Sequence, residues 1–535
     1  MFILFLVVSL ISSIHATSVV SRSQSYPLSP PVVHGPKTRL TISNGNVAPD
    51  GLVRSATLVE NVFPGPLIAA KKGHHFEIEV VNNLTDDTMW QVTSVHWHGI
   101  SQNKTNYADG TAFVTQCPIT PNHSYLYSFS AQNQAGTFWY HSHYSVQYCD
   151  GLRGPLVIYD PEDPTAYMYD VDDASTVITL ADWYHVAAPL MRGRINTAAS
   201  MLINGRGRYA GAPNSDLAVI SVEHGKRYRL RLVQMSCETN VLFSIDGHEL
   251  YVIEADGLLT APVLVDQLQI FAGQRYSVVL VANQSVDNYW IRGIPNSDGT
   301  YNGSAILRYN GAPKVEPTTV NTPPKLPLQE TSLQTLINPG APGTPGYGNA
   351  DYNYHFEVSV NHTVTGYKFY VNNVTFISPF VPVLLQILNG DGDASELLPQ
   401  GSVYLVEANK VVELTVAITG PGGPHPMHLH GHTFDVIQSA GDSTLNYVNP
   451  VRRDVVNAGS DGQQMVIRWV TDNSGPWIFH CHIDWHLDEG LAVVFAESPS
   501  DTRAHVSPVP HQWDRLCPIY DNYIRITTEG GLDSN

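Results

Sequence analysis

Apolar and polar residues alternate along several stretches of the chain, most clearly in residues 74–80, 229–232 and 412–416. Successive side chains of a β-strand point to opposite faces, so a period of two predicts half-buried strands and not amphipathic helices. In residues 229–232 the polar partners are two arginines that alternate with two leucines. This pattern predicts an all-β protein.

A short pattern recurs three times, in each case as a turn, a strand and a histidine-containing tight segment. The turns at residues 72–73, 225–226 and 409–410 precede His-Trp-His-Gly at 96–99, Asp-Gly-His at 246–248 and His-Leu-His-Gly at 428–431. The spacing predicts three β-sandwich or barrel domains, of which the middle one lacks the His-x-His pair. Chance similarity between unrelated β segments is the alternative.

A stretch rich in proline and glycine, residues 312–348, separates the second unit from the third. We therefore predict a first domain at 38–162, a second at 163–312, a surface linker at 313–348 and a third domain at 349–520. Gly 41 and Pro 36 among 535 residues agree with a chain that has many turns.

Composition and charge exclude several classes of protein. Apolar residues make up 43% of the chain and charged residues 14%, which is unlike a disordered tail or a coiled coil. The formal net charge is −19, and this sign repels phosphate backbones and anionic membrane surfaces. We expect neither nucleic acid nor a membrane as a partner.

The N-terminus predicts export. Residues 2–14 form an apolar run too short to span a membrane, and Ala16 offers a cleavage point, so residues 1–16 are predicted to be a signal peptide. An unprocessed hydrophobic N-terminus is the alternative. A secreted, extracellular glycoprotein is expected, because N-x-S/T sequons occur at Asn83, Asn103, Asn122, Asn283, Asn302, Asn361 and Asn373. Export also permits disulfides, but five cysteines are an odd number, so at least one has another role.

Histidine spacing is the main chemical signal. A random distribution of 23 histidines gives about one His-x-His, whereas five occur: 96/98, 141/143, 428/430, 430/432 and 480/482. In a strand, residues two apart share a face, so each pair presents two imidazoles to adjacent metals. One isolated pair is usually a coincidence on the surface, but these pairs cluster in two regions, with His425 and His486 close by.

Many imidazoles with a single thiolate favour copper, which binds two histidines and a cysteine in trigonal geometry. Zinc is the alternative, but it requires closed sets of four ligands. Cys481 lies between His480 and His482, so its sulfur points away from the face that carries those two imidazoles. A few covalent bonds would then join one ion to two others and provide a path for electrons.

Four segments, at residues 96–102, 136–143, 425–432 and 480–491, resemble the four signatures of the multicopper oxidases. Residues 151–159, 244–248 and 286–292 are similar to those of fungal laccases of the basidiomycete type. The similarity extends from about residue 38 to 520. It implies three cupredoxin-like domains and four copper ions in each chain.

The resemblance also implies which residues bind each copper. The implied ligands are His425, Cys481 and His486 for type 1; His96 and His428 for type 2; His98, His141 and His482 for one type 3 ion; and His143, His430 and His480 for the other. His432 matches no ligand and is expected to support the site from outside. Leu491 stands where blue-copper sites place a weak axial ligand, so we expect a moderate to high potential, although this leucine also packs.

The remaining four cysteines pair by resemblance as Cys117 with Cys517 and Cys149 with Cys237, with inert buried thiols as the alternative. The resemblance assigns His486 to the substrate pocket, Glu238 to proton acceptance from a phenol, and Asp109 and Asp484 to proton supply near the cluster. Otherwise Glu238 is a solvated surface residue and the two aspartates are turn carboxylates. Pro421, Gly422 and Asn296 are expected at the rim of the pocket.

The chain departs from the family around this pocket. Arg194, Asn196 and Ser297 stand where relatives have apolar or aromatic residues. We expect a more polar, more open mouth that binds bulky apolar phenols less tightly.

The expected activity is that of a laccase, the one-electron oxidation of phenols and aromatic amines coupled to four-electron reduction of O₂ to two waters, and lignin breakdown, detoxification or pigment formation would be its role. A monomer is the default. A ferroxidase and a copper carrier without turnover are the alternatives. A carrier needs only the mononuclear site, and O₂ uptake with a phenol, set against Fe²⁺, would separate the three.

Overall fold

The computed structural model describes residues 33–296, 299–364, 366–390 and 396–529. Within these ranges 31 strands form six sheets, and the helices are few and short. This confirms the all-β class. The predicted signal peptide and Ser297 lie outside the described residues. None of the described helices is both long enough and apolar enough to cross a bilayer.

The first two sheets are built from the N-terminal part of the chain. Their strands are β1 (Val33–His34), β2 (Lys37–Val47), β3 (Arg54–Val59), β4 (Leu67–Lys71), β5 (His75–Asn83), β6 (Val95–His98), β7 (Ser124–Ser130), β8 (Gly136–Ser142) and β9 (Arg153–Tyr159). They form the sheets β1-β4-β9-β8-β6 and β3-β2-β5-β7. Phe76 and Ile78 of one sheet pack in the same core as Trp97 and Leu156 of the other.

The second pair of sheets follows. Its strands are β10 (Val177–Trp183), β11 (Ser200–Ile203), β12 (Ala218–Val222), β13 (Arg227–Gln234), β14 (Val241–Ile245), β15 (Leu250–Ala255), β16 (Leu258–Val265), β17 (Leu268–Ile270), β18 (Arg275–Val281), β19 (Asn288–Pro295) and β20 (Gly303–Tyr309). The orders are β11-β10-β13-β18-β15-β16 and β12-β20-β19-β14-β17.

The third pair occupies the C-terminal part. Its strands are β21 (Tyr352–Thr363), β22 (Gly366–Val371), β23 (Val403–Val406), β24 (Val411–Thr419), β25 (Pro426–Leu429), β26 (Phe434–Gln438), β27 (Arg452–Arg453), β28 (Val455–Asn457), β29 (Gln464–Val470), β30 (Gly475–Cys481) and β31 (Ala492–Glu497). The orders are β22-β21-β24-β29-β26-β27 and β23-β31-β30-β25-β28.

The helices lie in and after the third pair of sheets. They are α1 (Val383–Asn389), α2 (Asp484–Asp488), α3 (Pro499–Val506), α4 (His511–Asp514) and α5 (Leu516–Glu529). Short 3-10 helices occur at Asn106–Ala108, Gln147–Asp150, Ala166–Met168, Ala174–Thr176, Ala188–Met191 and Glu330–Ser332. Residues 313–351, between β20 and β21, contain no strand and are mostly exposed.

The expectation of half-buried strands is wrong for β13. Both of its faces are buried, because Arg229 and Arg231 are covered to the same degree as the leucines between them. Arg229 pairs with Glu254, and Arg231 pairs with Asp172 at 2.7 Å. The alternation alone predicts that the face with the two arginines is in solvent. That face is buried instead, because each arginine has a carboxylate partner that compensates its charge.

Two strand pairs, one in the first and one in the third pair of sheets, position the histidines in the same way. His96 on β6 is directly opposite His141 on β8, and His428 on β25 is directly opposite His480 on β30. Each strand pair therefore presents its His-x-His motifs side by side on one face.

Candidate copper centres

Eight histidines from the two ends of the chain converge in one buried cluster. They are His96, His98, His141, His143, His428, His430, His480 and His482, and none is more than 8% exposed. The ring of His96 stacks on that of His430 at 3.8 Å between centroids, and His98 stacks on His428 at 3.9 Å. Both contacts join residues that are more than 300 positions apart in the sequence.

The ring nitrogens form groups that are compact enough to hold metal ions. In each of three groups the candidate ligand atoms lie within 4.8 Å of one another: His98, His141 and His482; His143, His430 and His480; and His96, His98 and His428. The first two groups are the sets that the resemblance implies for the two type 3 ions, and the third contains the implied type 2 pair.

Backbone carbonyls determine which nitrogen of several rings faces the cluster. The Nδ1 atoms of His96, His141, His428 and His480 lie 2.8 to 2.9 Å from the carbonyl oxygens of Asp109, Ser142, Asp454 and Cys481. Nδ1 therefore donates the proton, and Nε2 keeps its lone pair. Among the described residues, Nε2 of His96, His141, His143 and His428 is buried without a hydrogen-bond partner. Buried nitrogens of this kind fit a metal ion.

The titration of the cluster also suits a metal. Burial, reinforced by the neighbouring imidazoles, lowers the pKa of His98, His141, His143, His428, His430 and His482 well below the ordinary histidine value. Burial lowers the pKa of His480 to about 4. These rings are therefore neutral near pH 7, which is the form that binds a metal.

Asp109 brings a carboxylate to the cluster from the first pair of sheets. Its Oδ2 accepts from Nδ1 of His430 at 2.9 Å and from the hydroxyl of Thr111 at 2.7 Å, and its Oδ1 lies 3.3 Å from Nδ1 of His96. The side chain is 1% exposed. The structure thus places Asp109 in direct contact with two of the histidines, as expected for an orienting group.

Asp484, the other aspartate predicted near the cluster, lies in different surroundings. It begins α2, its backbone N–H donates to the carbonyl of Cys237 at 2.8 Å, and its Oδ2 lies 3.4 Å from Sγ of Cys149. Burial raises its pKa well above the ordinary value. These contacts place Asp484 against the disulfide that Cys149 and Cys237 form.

Sequence reasoning missed a second carboxylate at the cluster. Asp454 Oδ1 lies 3.3 Å from Nε2 of His98, and the two oxygens of Asp454 accept from the guanidinium of Arg275 at 2.6 and 2.7 Å. Arg275 lies on β18 in the second pair of sheets and is fully buried. The Arg-Asp segment at 453–454 is outside every histidine motif, so no local pattern identified it.

A separate group of three ligands lies beside the cluster. Sγ of Cys481 is 3.7 Å from Nδ1 of His425 and 3.6 Å from Nδ1 of His486, and these two nitrogens are 3.1 Å apart. Cys481, at the end of β30, is the free cysteine of the described residues, and burial raises its pKa. Burial lowers the pKa of His425 to about 4. One soft sulfur and two neutral imidazole nitrogens are the donors that copper prefers.

Three surrounding residues shape this group. Nε2 of His425 lies 2.7 Å from the carbonyl of Gly422, which fixes that ring. The Phe369 ring packs against His486, with centroids 4.4 Å apart. Leu491, at the position of a weak axial ligand, is completely buried.

Glu238 is half-buried on the loop after β13, close enough to this group for its charge to raise the pKa of Cys481. Burial, together with the negative charge of Asp182, raises the pKa of Glu238 to about 8. Asp182 is a residue that the sequence reasoning missed. Its buried carboxylate accepts from the backbone N–H groups of Cys237, Glu238 and Thr239 at 2.9 to 3.3 Å. Asp182 therefore holds the loop that carries Glu238.

The residues expected at the mouth of the pocket each contact a different part of the chain. Arg194 is exposed, and its carbonyl accepts from the hydroxyl of Tyr367 at 3.3 Å. The Asn196 amide donates to the carbonyl of Met191 at 3.0 Å, within its own loop. The backbone N–H of Asn296 donates to Asn240 at 3.0 Å.

His432 and the paired cysteines lie outside the ligand groups. Nδ1 of His432 lies 3.3 Å from the carbonyl of His430, and its Nε2 lies 3.1 Å from Glu497. The structure joins Cys117 to Cys517 and Cys149 to Cys237, which are the two pairs that the resemblance implies.

Comparison with known proteins agrees with this site. Three family models, each described as multicopper oxidase, match residues 41–163, 174–312 and 376–501. Laccase-4 of Trametes villosa is 54% identical over 495 residues, which is 91% of this chain and 94% of that protein. Laccase-2 of Pleurotus ostreatus is 54% identical over 514 residues, 93% of this chain and 95% of that protein.

Among solved structures, the laccase from Botrytis aclada superposes with a TM-score of 0.81 at 32% identity. The superposition covers 92% of this chain and 93% of the Botrytis chain. The chain belongs to the multicopper oxidase family, with the cupredoxin-like β fold of that family. Within the family it is an enzyme of the laccase type, whose cofactor is copper, one type 1 ion, one type 2 ion and two type 3 ions.

Proposed function

We propose that the three-ligand group holds the type 1 copper and that the eight-histidine cluster holds the other three ions. In this proposal His425, Cys481 and His486 bind type 1, and His96 and His428 bind type 2. His98, His141 and His482 bind one type 3 ion, and His143, His430 and His480 bind the other. The observation that carries the assignment is the convergence of eight buried imidazoles, four of them with an unpartnered Nε2, beside a buried thiol.

When bound, copper supplies one-electron oxidation of a phenol or aromatic amine at the type 1 site and four-electron reduction of O₂ to two waters at the cluster. The chain connects the two sites by consecutive residues, since Cys481 lies between His480 and His482 on β30. Phe369 and Leu491 are buried in the same core as Cys481 and keep water away from its thiolate.

The carboxylates manage protons in this proposal. A phenol loses a proton when it loses an electron. The ionised form of Glu238, which is the minor form below its pKa of about 8, accepts that proton at the pocket beside His486. Asp109 orients His96 and His430 and passes protons toward the cluster, with Asp484 as a second carrier on the side of the disulfide. The contacts of Asp109 with both rings support its role.

The domain limits, export and assembly state belong to the same proposal. Three cupredoxin-like domains at residues 38–162, 163–312 and 349–520 are joined by a linker at 313–348. Residues 1–16 direct export and are removed in the process, and the enzyme acts outside the cell as a monomer. Two disulfides and seven sequons support export.

The test is steady-state kinetics with O₂ uptake on a panel of phenols, aromatic amines and Fe²⁺, for the copper-loaded enzyme and its Glu238→Ala variant. We expect turnover of phenols and amines, and a loss of about 100-fold in kcat/KM for phenols in the variant. Glu223→Ala, at an exposed carboxylate 58% accessible to solvent, is the matched control. Efficient turnover of Fe²⁺ alone would make the enzyme a ferroxidase, and absence of turnover with every donor would make it a carrier.

A further inference from the structure

A cavity of about 300 Å³ lies on the second pair of sheets, away from both copper centres. Its lining includes Arg208, Trp290, Arg292, Tyr301, Asn302, Ser304 and Glu316. Asn302 and Ser304 are the first and third residues of an Asn-Gly-Ser sequon. The residue that would carry a glycan therefore lines the cavity.

Strand alternation explains why the sequon and the cavity coincide. Arg292 on β19 is directly opposite Ser304 on β20, and Trp290 is two residues before Arg292 on the same face. Ile291 and Ala305, which point the other way, are completely buried in the core. The outer face of this sheet thus presents Trp290 and Arg292 next to the sequon.

The cavity has the chemistry of a sugar site. Trp290 and Tyr301 offer flat apolar surfaces, and Tyr301 is 40% exposed. The charged side chains beside them are held in place: Arg292 bonds to both oxygens of Asp246 at 2.7 and 2.6 Å, and Arg208 bonds to Glu316 at 2.6 Å. A pyranose ring has apolar C–H faces and hydroxyl edges, so it matches an aromatic platform ringed by polar groups.

The attachment point is also held in a defined direction. The backbone N–H of Tyr301 donates to Ala199, and its carbonyl accepts from Met201 at 2.9 Å. Asn302 follows immediately and leads directly into β20. Because the backbone beside Asn302 is fixed, only the side-chain and glycosidic bonds of a linked sugar remain to be ordered when the sugar enters the cavity.

We propose that Asn302 carries an N-linked glycan whose first N-acetylglucosamine occupies this cavity, packed against Trp290 and Tyr301. This inference rests on the proposed export of the chain, because the sugar is added on the secretory route. The other exposed sequons, such as Asn283 in the same pair of sheets, do not line the cavity. Their glycans extend into solvent.

The test uses the intact enzyme secreted from a fungal host that adds high-mannose glycans. The native protein is treated with an endoglycosidase that cuts between the two core N-acetylglucosamines, and glycopeptide mass spectrometry follows each sequon with time. We expect Asn302 to be occupied and its glycan to be released about tenfold more slowly than that of Asn283, a difference of about 1.4 kcal/mol. After denaturation the two rates should be equal.

Cavity variants that keep the sequon sharpen the test. Trp290→Ala and Tyr301→Ala should each bring the release rate at Asn302 close to that at Asn283. Tyr251→Ala, at a partly exposed tyrosine on the other sheet of the pair, should leave the rate unchanged. Two substitutions are used because Trp290→Ala alone could impair folding, whereas Tyr301 is already 40% exposed.

The outcomes separate this inference from the proposed function. An unmodified Asn302 in protein that is glycosylated elsewhere overturns the inference alone, as does equal native release at Asn302 and Asn283. A protein that is retained in the cell with no sequon occupied overturns both the inference and the proposed export. Phenol oxidation, measured on the same preparations, tests the copper assignment independently.

Discussion

The two candidate copper centres are adjacent but are assembled in different ways. The three ligands of the mononuclear site all come from residues 425–486, within the third pair of sheets. The eight-histidine cluster takes half of its rings from β6, β8 and the turn after β8, and the other half from the third pair of sheets. The mononuclear site therefore requires only that the third pair of sheets is folded. The eight-histidine cluster also requires that the first and third pairs of sheets are correctly positioned against each other.

Buried carboxylates cross the boundary between the first and third pairs of sheets at the eight-histidine cluster. Asp109 of the first pair reaches His430 of the third at 2.9 Å. Asp454 of the third pair lies 3.3 Å from His98 of the first and also accepts from Arg275 of the second. Among the described residues, no carboxylate of another pair of sheets forms a hydrogen bond or ion pair with the three ligands of the mononuclear site. We infer that the eight-histidine cluster is more sensitive than the mononuclear site to substitutions at the contacts between pairs of sheets.

Removal of the thiol should have the largest effect and should separate the two sites completely. Cys481→Ser replaces the soft sulfur ligand by a hydroxyl, which binds copper weakly. We expect loss of the thiolate-to-copper charge-transfer band, loss of one copper per chain and loss of phenol oxidation. The copper of the eight-histidine cluster, measured by elemental analysis and electron paramagnetic resonance, serves as the internal control. If that copper were lost as well, the two sites would not be independent.

Loss of the Asp454 charge, at the boundary between the pairs of sheets, should have the next largest effect. This effect should fall on the eight-histidine cluster. Asp454→Asn keeps the side-chain volume but leaves the guanidinium of Arg275 without its closest partner. Breaking a buried ion pair in this way costs about 3–5 kcal/mol. We expect a lower melting temperature and depleted copper in the cluster, with the thiolate band of the mononuclear site retained.

Asp435→Asn is the matched control for this prediction. Asp435 also pairs with an arginine, Arg452 at 3.1 Å, in the third pair of sheets. Within the described part of the chain, no hydrogen bond or ion pair joins Asp435 to any of the eight histidines. This variant should keep the full copper content. Equal loss of the thiolate band and of cluster copper in Asp454→Asn would contradict the distinction between the two sites.

The sequence predicted the members of each site because strand geometry imposes a short period. His96 and His98, or His480 and His482, are two residues apart, so their common face follows from the backbone alone. Asp454 contacts His98 across more than 350 residues, and no local pattern encodes that contact. The sequence does not reveal the role of Asp182 either. Its carboxylate, on β10, accepts from three backbone N–H groups of the loop after β13, more than 50 residues further along the chain.

The same limit explains the error in β13. Alternation of Arg229 and Arg231 with leucines predicts a solvated face, because an arginine is usually exposed. The carboxylates that bury this face, Glu254 and Asp172, come from other parts of the chain. Whether a charged residue is exposed or paired is therefore decided by tertiary contacts, which a period of two does not contain.

The smallest expected effect concerns Glu238, the titratable group near the mononuclear site. Its pKa of about 8 in the folded chain is above the ordinary value of 4.5, so the native state holds the proton more tightly than the unfolded chain does. Stability must then fall as the pH rises from about 4.5 to about 8, since ionisation favours the unfolded state in this window. Glu238→Gln removes the titration.

We expect the melting temperature of Glu238→Gln to equal that of the parent near pH 4.5 and to exceed it by a few degrees at pH 8. This corresponds to about 1–3 kcal/mol after allowance for the partial exposure of the carboxyl. The melting temperatures of both proteins are measured from pH 4 to 9, with Glu223→Gln at an exposed site as the control. A constant difference at every pH would mean that the carboxyl is not held protonated by its burial and by Asp182.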